Sequence, residues 1–485
     1  MFGDTGIDRG ALHYSRTQLA VAAIGTLLLT TAGTTSRVTS TPKYSVGIPF
    51  TTETEEDNWP QWRGPTGMGV STETRLPLNW GTDNNLLWKT PIEGKGHSSP
   101  IVWEDRVFLT TAIEREVAGE KHRVVHMRDG FYDDNPANRD RYIHPDSTGS
   151  DRIHTLKVIA LAISDGSVIW EHVAFEGLPY DDSHRRGSFA SPTPITDGEF
   201  VYAYFGTQGL YAYDLDGSLI WSQNLGEIPN FGLGDGSSPV LYGDLLIIVV
   251  DGDNGDESFV VAFDKRTGNE AWRTPRLARI QWSTPLLVNG PLGMELVVSG
   301  FQAVISYDPA TGIERWRGPG LRGNVIATPV ANTETVFVSV GYQRKKTYAV
   351  RLGATGKVGN TDAISWEYEK GTAYVPSNIL YGDQLYLIAD NGMLTSLDSQ
   401  TGKLIYEGAR VPIPGRFSAS PVAYDGKLLI ASQDGDMFVI KAGPVHKVLA
   451  VNSIEQSIWA SPAITDGKLL VRGATHIFCF TDLGE

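Results

Sequence analysis

The stretch Asp264-Lys265-Arg266-Thr267-Gly268-Asn269-Glu270-Ala271-Trp272 decides the fold, because it does not occur alone. The same polar turn closing on an aromatic residue returns as Asp308-Pro309-Ala310-Thr311-Gly312 to Trp316 and as Asp398-Ser399-Gln400-Thr401-Gly402 to Tyr406. Shorter copies run from Asp165-Gly166 to Trp170 and from Asp216-Gly217 to Trp221, and Trp366 ends another. An apolar strand, Phe259-Val260-Val261-Ala262-Phe263, precedes the quoted turn, and further back stands the opener Ser238-Pro239-Val240-Leu241.

The opener repeats as well. It reads Ser99-Pro100, Ser191-Pro192, Ser238-Pro239, Thr284-Pro285, Thr328-Pro329, a degenerate Val375-Pro376, Ser420-Pro421 and Ser461-Pro462. The prolines lie 92, 47, 46, 44, 47, 45 and 41 residues apart, a fixed period of the length that marks a repeat architecture. Asp197-Gly198, Asp425-Gly426 and Asp466-Gly467 then introduce the next apolar run, each a hairpin signal because glycine accepts the positive φ of a tight turn. Four short strands per repeat, with one aromatic at a constant place, describe the blade of an all-β propeller. Trp88, Trp170, Trp221, Trp272, Trp316, Trp366 and Tyr406 are expected to wedge between neighbouring blades as docking residues.

The chain ends set the blade count. After Pro462 there is room for three strands, and Leu86-Leu87-Trp88-Lys89-Thr90-Pro91-Ile92 is an orphan fourth. Joining the two closes an eight-bladed ring with four antiparallel strands per blade and leaves no open edge. The propeller spans 84–485, the double gap before Pro192 holding a polar insertion at about 113–154. Trp59 and Trp62 belong to a lead-in, 33–83, and are expected outside the ring.

Residues 1–32 read as a signal peptide. Arg9 and Arg16 precede an apolar run, Leu19 to Leu29, shorter than the ~20 residues of a spanning helix, and small polar residues follow. No cysteine stands after that run to take a lipid. An exported, non-lipidated protein of the periplasm or cell envelope is expected, with no stable membrane span after cleavage. The charge balance, 41 Lys+Arg against 56 Asp+Glu, offers no basic patch and argues against a nucleic-acid partner.

The Asp-x-x-Thr-Gly-x-x-x-Trp turns resemble the blade-end motif of the pyrrolo-quinoline-quinone (PQQ) repeat family, over roughly residues 58–482. The lead-in Asn58-Trp59-Pro60-Gln61-Trp62-Arg63-Gly64-Pro65 is similar to exported bacterial PQQ-like propellers, planctomycete ones among them. The resemblance implies a quinoprotein alcohol dehydrogenase-like fold and brackets two functions. In the dehydrogenases PQQ lies in the central channel between a tryptophan floor and a disulfide of adjacent cysteines, with a calcium ion and an aspartate base. In the propeller lipoprotein of barrel assembly the ring is a binding scaffold. Cys479 is the only cysteine here, so the disulfide is absent, and no acidic cluster aligns with the calcium ligands or the base. A non-catalytic scaffold is therefore expected, with no catalytic residue and no cofactor, and a protein partner or small ligand. A PQQ- and calcium-dependent alcohol or sugar oxidoreductase is the alternative.

Residues just ahead of the openers are expected at the channel mouth. His97, Phe189, Trp282, Asn324, Tyr374, Arg416 and Trp459 bring aromatic and basic groups together, which suits a planar or anionic ligand. Six of the ten histidines lie between His122 and His184, in or near the insertion, but only His122 and His126 have helix-compatible spacing, so no metal site is expected. The acidic run Asp251 to Glu257 reads as a loop between strands of one blade, and no Gly-x-Ser-x-Gly elbow is present.

Overall fold

Leu86–Pro91 pairs antiparallel with His476–Thr481, whose sheet is completed by Lys468–Arg472 and Ala463–Thr465. The first strand of the ring thus completes the last blade. The structure, a computed structural model, describes residues 58–117, 144–252, 258–279 and 281–484. In it eight antiparallel sheets follow one another as blades, and a 3-10 turn at Gly206–Gln208 is the single helical element among the described residues. We number the blades from Ile101–Trp103, the first inner strand, so that blade 8 contains both chain ends of the ring.

The blade-end turn works as a joint. Asp264 Oδ1 accepts from the Thr267 amide at 2.8 Å and from its hydroxyl at 2.8 Å, fixing the turn. Gly268, at φ +71°, then lies flat on Trp221 of the preceding blade, where a Cβ would come within 2.7 Å of the indole. The Trp221 N–H donates to the Lys265 carbonyl at 2.9 Å. Trp88, Trp170, Trp272 and Trp366 make the same bond to Ile163, Leu215, Pro309 and Ser399, at 2.8, 2.8, 3.2 and 3.0 Å. Tyr406 holds the equivalent place, but its buried hydroxyl finds no partner.

A second belt runs nearer the axis. In six of the eight blades the hydroxyl of the opener accepts the backbone N–H of the opener one blade earlier; those of Ser99 and Thr328 are buried without a partner. Thr193 accepts from Ser99, Ser238 from Thr193, and Thr284 from Ser238, all at 2.9 Å. Ser377 accepts from Thr328 at 3.0 Å, Ser420 from Ser377 at 2.9 Å, and Ser461 from Ser420 at 2.9 Å. This belt corrects two openers: Thr193-Pro194 and Ser377-Asn378 occupy the positions read as Ser191-Pro192 and Val375-Pro376. Prolines stand close to both alternatives, so proline spacing alone chose the wrong one.

Two features departed from the repeat. Arg106–Glu116 and Arg152–Ala162 pair along their full length, so residues 113–116 and 152–154 belong to these strands. Their tips carry charged partners such as Glu116 and Arg152 instead of an apolar alternation. The excursion beyond them, with His122, His126, Asp133, Asp134 and Asp140, lies outside the described residues, as do 1–57 and 253–257. Blade 4 gains a fifth strand, Gly356–Lys357, laid parallel on its outer strand Glu314–Arg317.

The lead-in is not outside the ring. Trp59 is 1% exposed and packs with Trp80, Trp88, Val102 and Val107. It exchanges two backbone bonds with Val102, and Pro60 accepts from Thr196. Arg63 donates to the Asn378 carbonyl at 2.6 Å, Met68 sulfur accepts from Ala331, and Gly69 accepts from Ala423. These partners belong to the inner strands of blades 1, 2, 5, 6 and 7 or adjoin them, so the segment crosses the axis and closes one end of the channel. A segment without repeats carries no periodic signal, and its burial is supplied by the ring it plugs.

Candidate functional site: a one-ended cup on the axis

Above that floor the channel opens as a cavity of about 710 Å³, with Trp62 of the lead-in in its lining. The volume falls within the ~300–1,000 Å³ of ordinary ligand sites. Its wall has a simple register. The residue two positions before each opener hydroxyl faces the cavity, namely His97, Ser191, Gly236, Trp282, Ile326, Val375, Ser418 and Trp459 from blades 1 to 8 in turn. Trp282 and Trp459 stand four blades apart and therefore on opposite walls.

Every expected mouth residue of the ligand set, His97, Trp282, Tyr374, Arg416 and Trp459, lines this cavity, and so does Asn324. Phe189 does not; it packs beside His154 with ring centroids 4.2 Å apart. Its displacement follows from the corrected opener, which puts Ser191 at the wall. His97 stacks on Trp459 at 5.0 Å and 4°, and the Arg186 guanidinium lies 5.2 Å from the same indole. Arg186 also donates to Gln433 at 2.7 Å. It comes from the link between blades 1 and 2 and reaches blades 7 and 8 across the mouth. On the other side Tyr342 and Tyr374 stack at 5.0 Å, and the Trp282 N–H is anchored on the Gly234 carbonyl at 2.7 Å.

Arg186, Gln433, Tyr342, Asp235 and Asp390 escaped the sequence reading. Tyr342, Asp390 and Gln433 share a signal that was available: each sits in the loop between the second and third strands of its blade, on the same side as the openers. Arg186 follows the two-stranded sheet Ser147–Thr148 with Ser183–His184, at the foot of the blade 1 excursion. His144, Asp146 and His184 at that foot also line the cup, and Asp146 is engaged by Arg185 at 2.8 Å.

The electrostatics are mixed. Burial, aided by the charges of Lys95 and Arg472, pushes His97 far below its usual range and keeps it neutral. Burial raises the Asp235 carboxyl to about 7, with Asp181 and Asp251 adding to the effect. Asp390 is also raised by burial, against the pull of the Val375 amide. Arg186 and Arg416 form no ion pair among the described residues.

Residues 155–275 and 256–482 match the family profile described as outer membrane protein assembly factor BamB, together more than half of the chain. The chain belongs to this family. An outer membrane protein assembly factor BamB from Salmonella typhimurium is 27% identical over 109 residues, which cover 22% of this chain and 27% of that relative. The matched stretch thus spans about a quarter of the curated BamB protein. A europium-containing methanol dehydrogenase superposes with a TM-score of 0.58 at 10% identity, covering 88% of this chain and 99% of its own. A quinohemoprotein alcohol dehydrogenase from Comamonas testosteroni gives 0.59 at 12%, covering 88% and 81%. Both show the propeller fold that this BamB-family chain shares with them.

The dehydrogenase-like fold raises the question of a quinone and calcium. Cys479 is buried in a strand of blade 8, so no disulfide platform reaches the cup. Among the described residues no three His, Cys, Asp or Glu side chains are grouped to hold a metal ion.

Proposed function

We propose that this protein is a non-catalytic binding scaffold of the bacterial cell envelope, with the axial cup as its ligand or partner site. The observation that supports it is the floor: the lead-in from Trp59 to Gly69 closes one end of the channel and leaves a walled cup of aromatic, hydroxyl and oppositely charged groups. A recess of this kind, with fixed rings and a few convergent polar groups, is built to hold something. Membership of the BamB family favours an envelope setting, and residues 1–32 supply the export signal. No helix among the described residues is long and apolar enough to cross a membrane. The partner is a protein or a small molecule that enters the cup.

The competing reading is a PQQ-dependent alcohol or sugar oxidoreductase. Purified full-length protein supplied with PQQ and calcium, then assayed for dye-linked oxidation of alcohols and aldoses, separates the two. No PQQ-dependent turnover is expected. Turnover that saturates with PQQ and disappears in Trp282→Ala would replace the scaffold by an enzyme.

A further inference from the structure

Resting on that reading of the cup, we propose that its ligand is the free end of a neutral oligosaccharide. Three properties of the cup lead there. The first is its floor: among the described residues the lead-in from Trp59 to Gly69 crosses the axis beneath the cavity, and Trp62 lines it, so a polymer that reaches the floor does so by a terminus and an internal stretch cannot thread past it.

The second is the kind of apolar surface. Trp282 and the Tyr342–Tyr374 pair offer flat faces on one wall, and Trp62 offers another below. The Trp282 ring is held by its bond to Gly234, so little order has to be gained on binding. Ser191 and Gly236, on the two blades before Trp282, and Ser418, on the blade after Val375, are small and leave room in the cavity beside those rings. A sugar ring is narrow, with a face of C–H groups that lies well on an aromatic plane.

The third is the balance of polar groups. Each sugar hydroxyl both donates and accepts, and it needs a wall able to do both. Asn324, Asn391 and Gln433 carry donor and acceptor on one side chain, and Ser99, Ser420 and Ser461 add hydroxyls beneath them. Arg186 and Arg416 line the same cavity as Asp235 and Asp390, so groups of both signs are present. A polyanion would bring its charges against the carboxylates, and a polycation against the guanidinium groups; a neutral polyol meets partners for all of them.

The test uses the full-length protein and follows its tryptophan fluorescence and heat of binding with maltotriose, cellotriose and tri-N-acetylchitotriose. β-Cyclodextrin, which has glucose rings but no chain end, is the topological control. At least one linear trisaccharide is expected to bind, β-cyclodextrin is not, and Trp282→Ala should weaken binding at least about tenfold. Asn324→Ala, which removes a hydrogen-bonding group without a large core change, should weaken it as well and guards against a misfolded Trp282 variant. Equal binding of β-cyclodextrin would overturn recognition of a chain end. Absence of binding by all three sugars, up to about 10 mM, would overturn the sugar class. If 1,3,5-benzenetricarboxylate then binds and is lost in Trp282→Ala, the cup stands as a site for a different ligand. Sugar binding unaffected by both variants would place the site elsewhere.

Discussion

The Trp316 indole N–H donates to the Glu295 carboxylate at 2.6 Å, and both side chains are completely buried. The other five blade-end tryptophans with this bond use a carbonyl of the next blade's turn. The corresponding turn of blade 5, Leu352-Gly353-Ala354-Thr355-Gly356, has leucine where the motif has aspartate, and the acceptor is Glu295 instead: one oxygen takes Trp316 and the Ser306 hydroxyl, the other takes the Gly353 amide of blade 5 at 2.7 Å. The carboxylate is therefore the joint between blades 4 and 5. Glu295→Ala strands two buried donors and a half-buried one and should cost ~3–5 kcal/mol in chemical denaturation. Glu295→Gln keeps part of the set and should cost ~1–3 kcal/mol. Equal stability of all three proteins would remove Glu295 from the joint.

The hydroxyl belt predicts an asymmetry between two similar substitutions. Ser377 Oγ accepts from Thr328, whereas Ser99 Oγ is buried without a partner. Ser377→Ala should cost ~1–3 kcal/mol, and Ser99→Ala well under 1 kcal/mol. Urea midpoints measure both, and the reverse order would mean that the belt does not hold the inner ring.

Truncation separates floor from closure. Removing residues 1–57 should leave the melting temperature of the ring nearly unchanged. Removing 1–85 takes away the floor, Trp59 and Arg63 included, and should lower stability markedly while the ring remains closed. Removing 1–93 also strips blade 8 of its outer strand Leu86–Pro91, and should lower it further and expose a pairing edge. Melting temperatures in any other order would contradict the roles given to these segments.

The Asp235 carboxyl, at about 7 in the folded protein, titrates near 4 in an unfolded chain. Between those values the folded state keeps a proton that the unfolded chain has released, so this group makes stability fall as pH rises from about 4 to about 7. Asp235→Asn should remove that fall. Variant and parent should converge below about pH 4, and the variant should be the more stable by a few kcal/mol above pH 7. Parallel stability curves across this range would show that Asp235 ionises normally.

Replacing residues 118–143 by a short Gly/Ser linker should leave the fold intact, because the hairpin beneath is paired to Glu116–Arg152. Ligand or partner binding should be weakened, since the foot of this excursion lines the cup. Unimpaired binding would free the excursion from the function.

The repeat made most of this legible from residues alone. Asp264 to Trp272 and its copies carry their own joint, since turn, glycine and indole are close in sequence and recur. The wall positions His97, Trp282 and Trp459 followed once the openers were aligned. What the period did not carry was hidden for the same physical reason: Trp59, Arg63 and Arg186 find their partners across the ring and repeat nowhere. Glu295 stayed invisible because it acts for a degenerate copy, Leu352 to Gly356, and stands more than fifty residues before it in the chain.

The floor also constrains when the protein can finish folding. Arg63 is bonded to a residue 315 positions later, and the Trp80 amide to one 372 positions later. Loop closure over such separations comes late and slowly, and it leaves apolar surface waiting meanwhile. The lead-in is made before the blades, yet its binding surface exists only when the later blades have arrived. The blades can assemble one against the next as they emerge, while the indole of Trp59 and the guanidinium of Arg63 wait in water until almost the whole chain has been made.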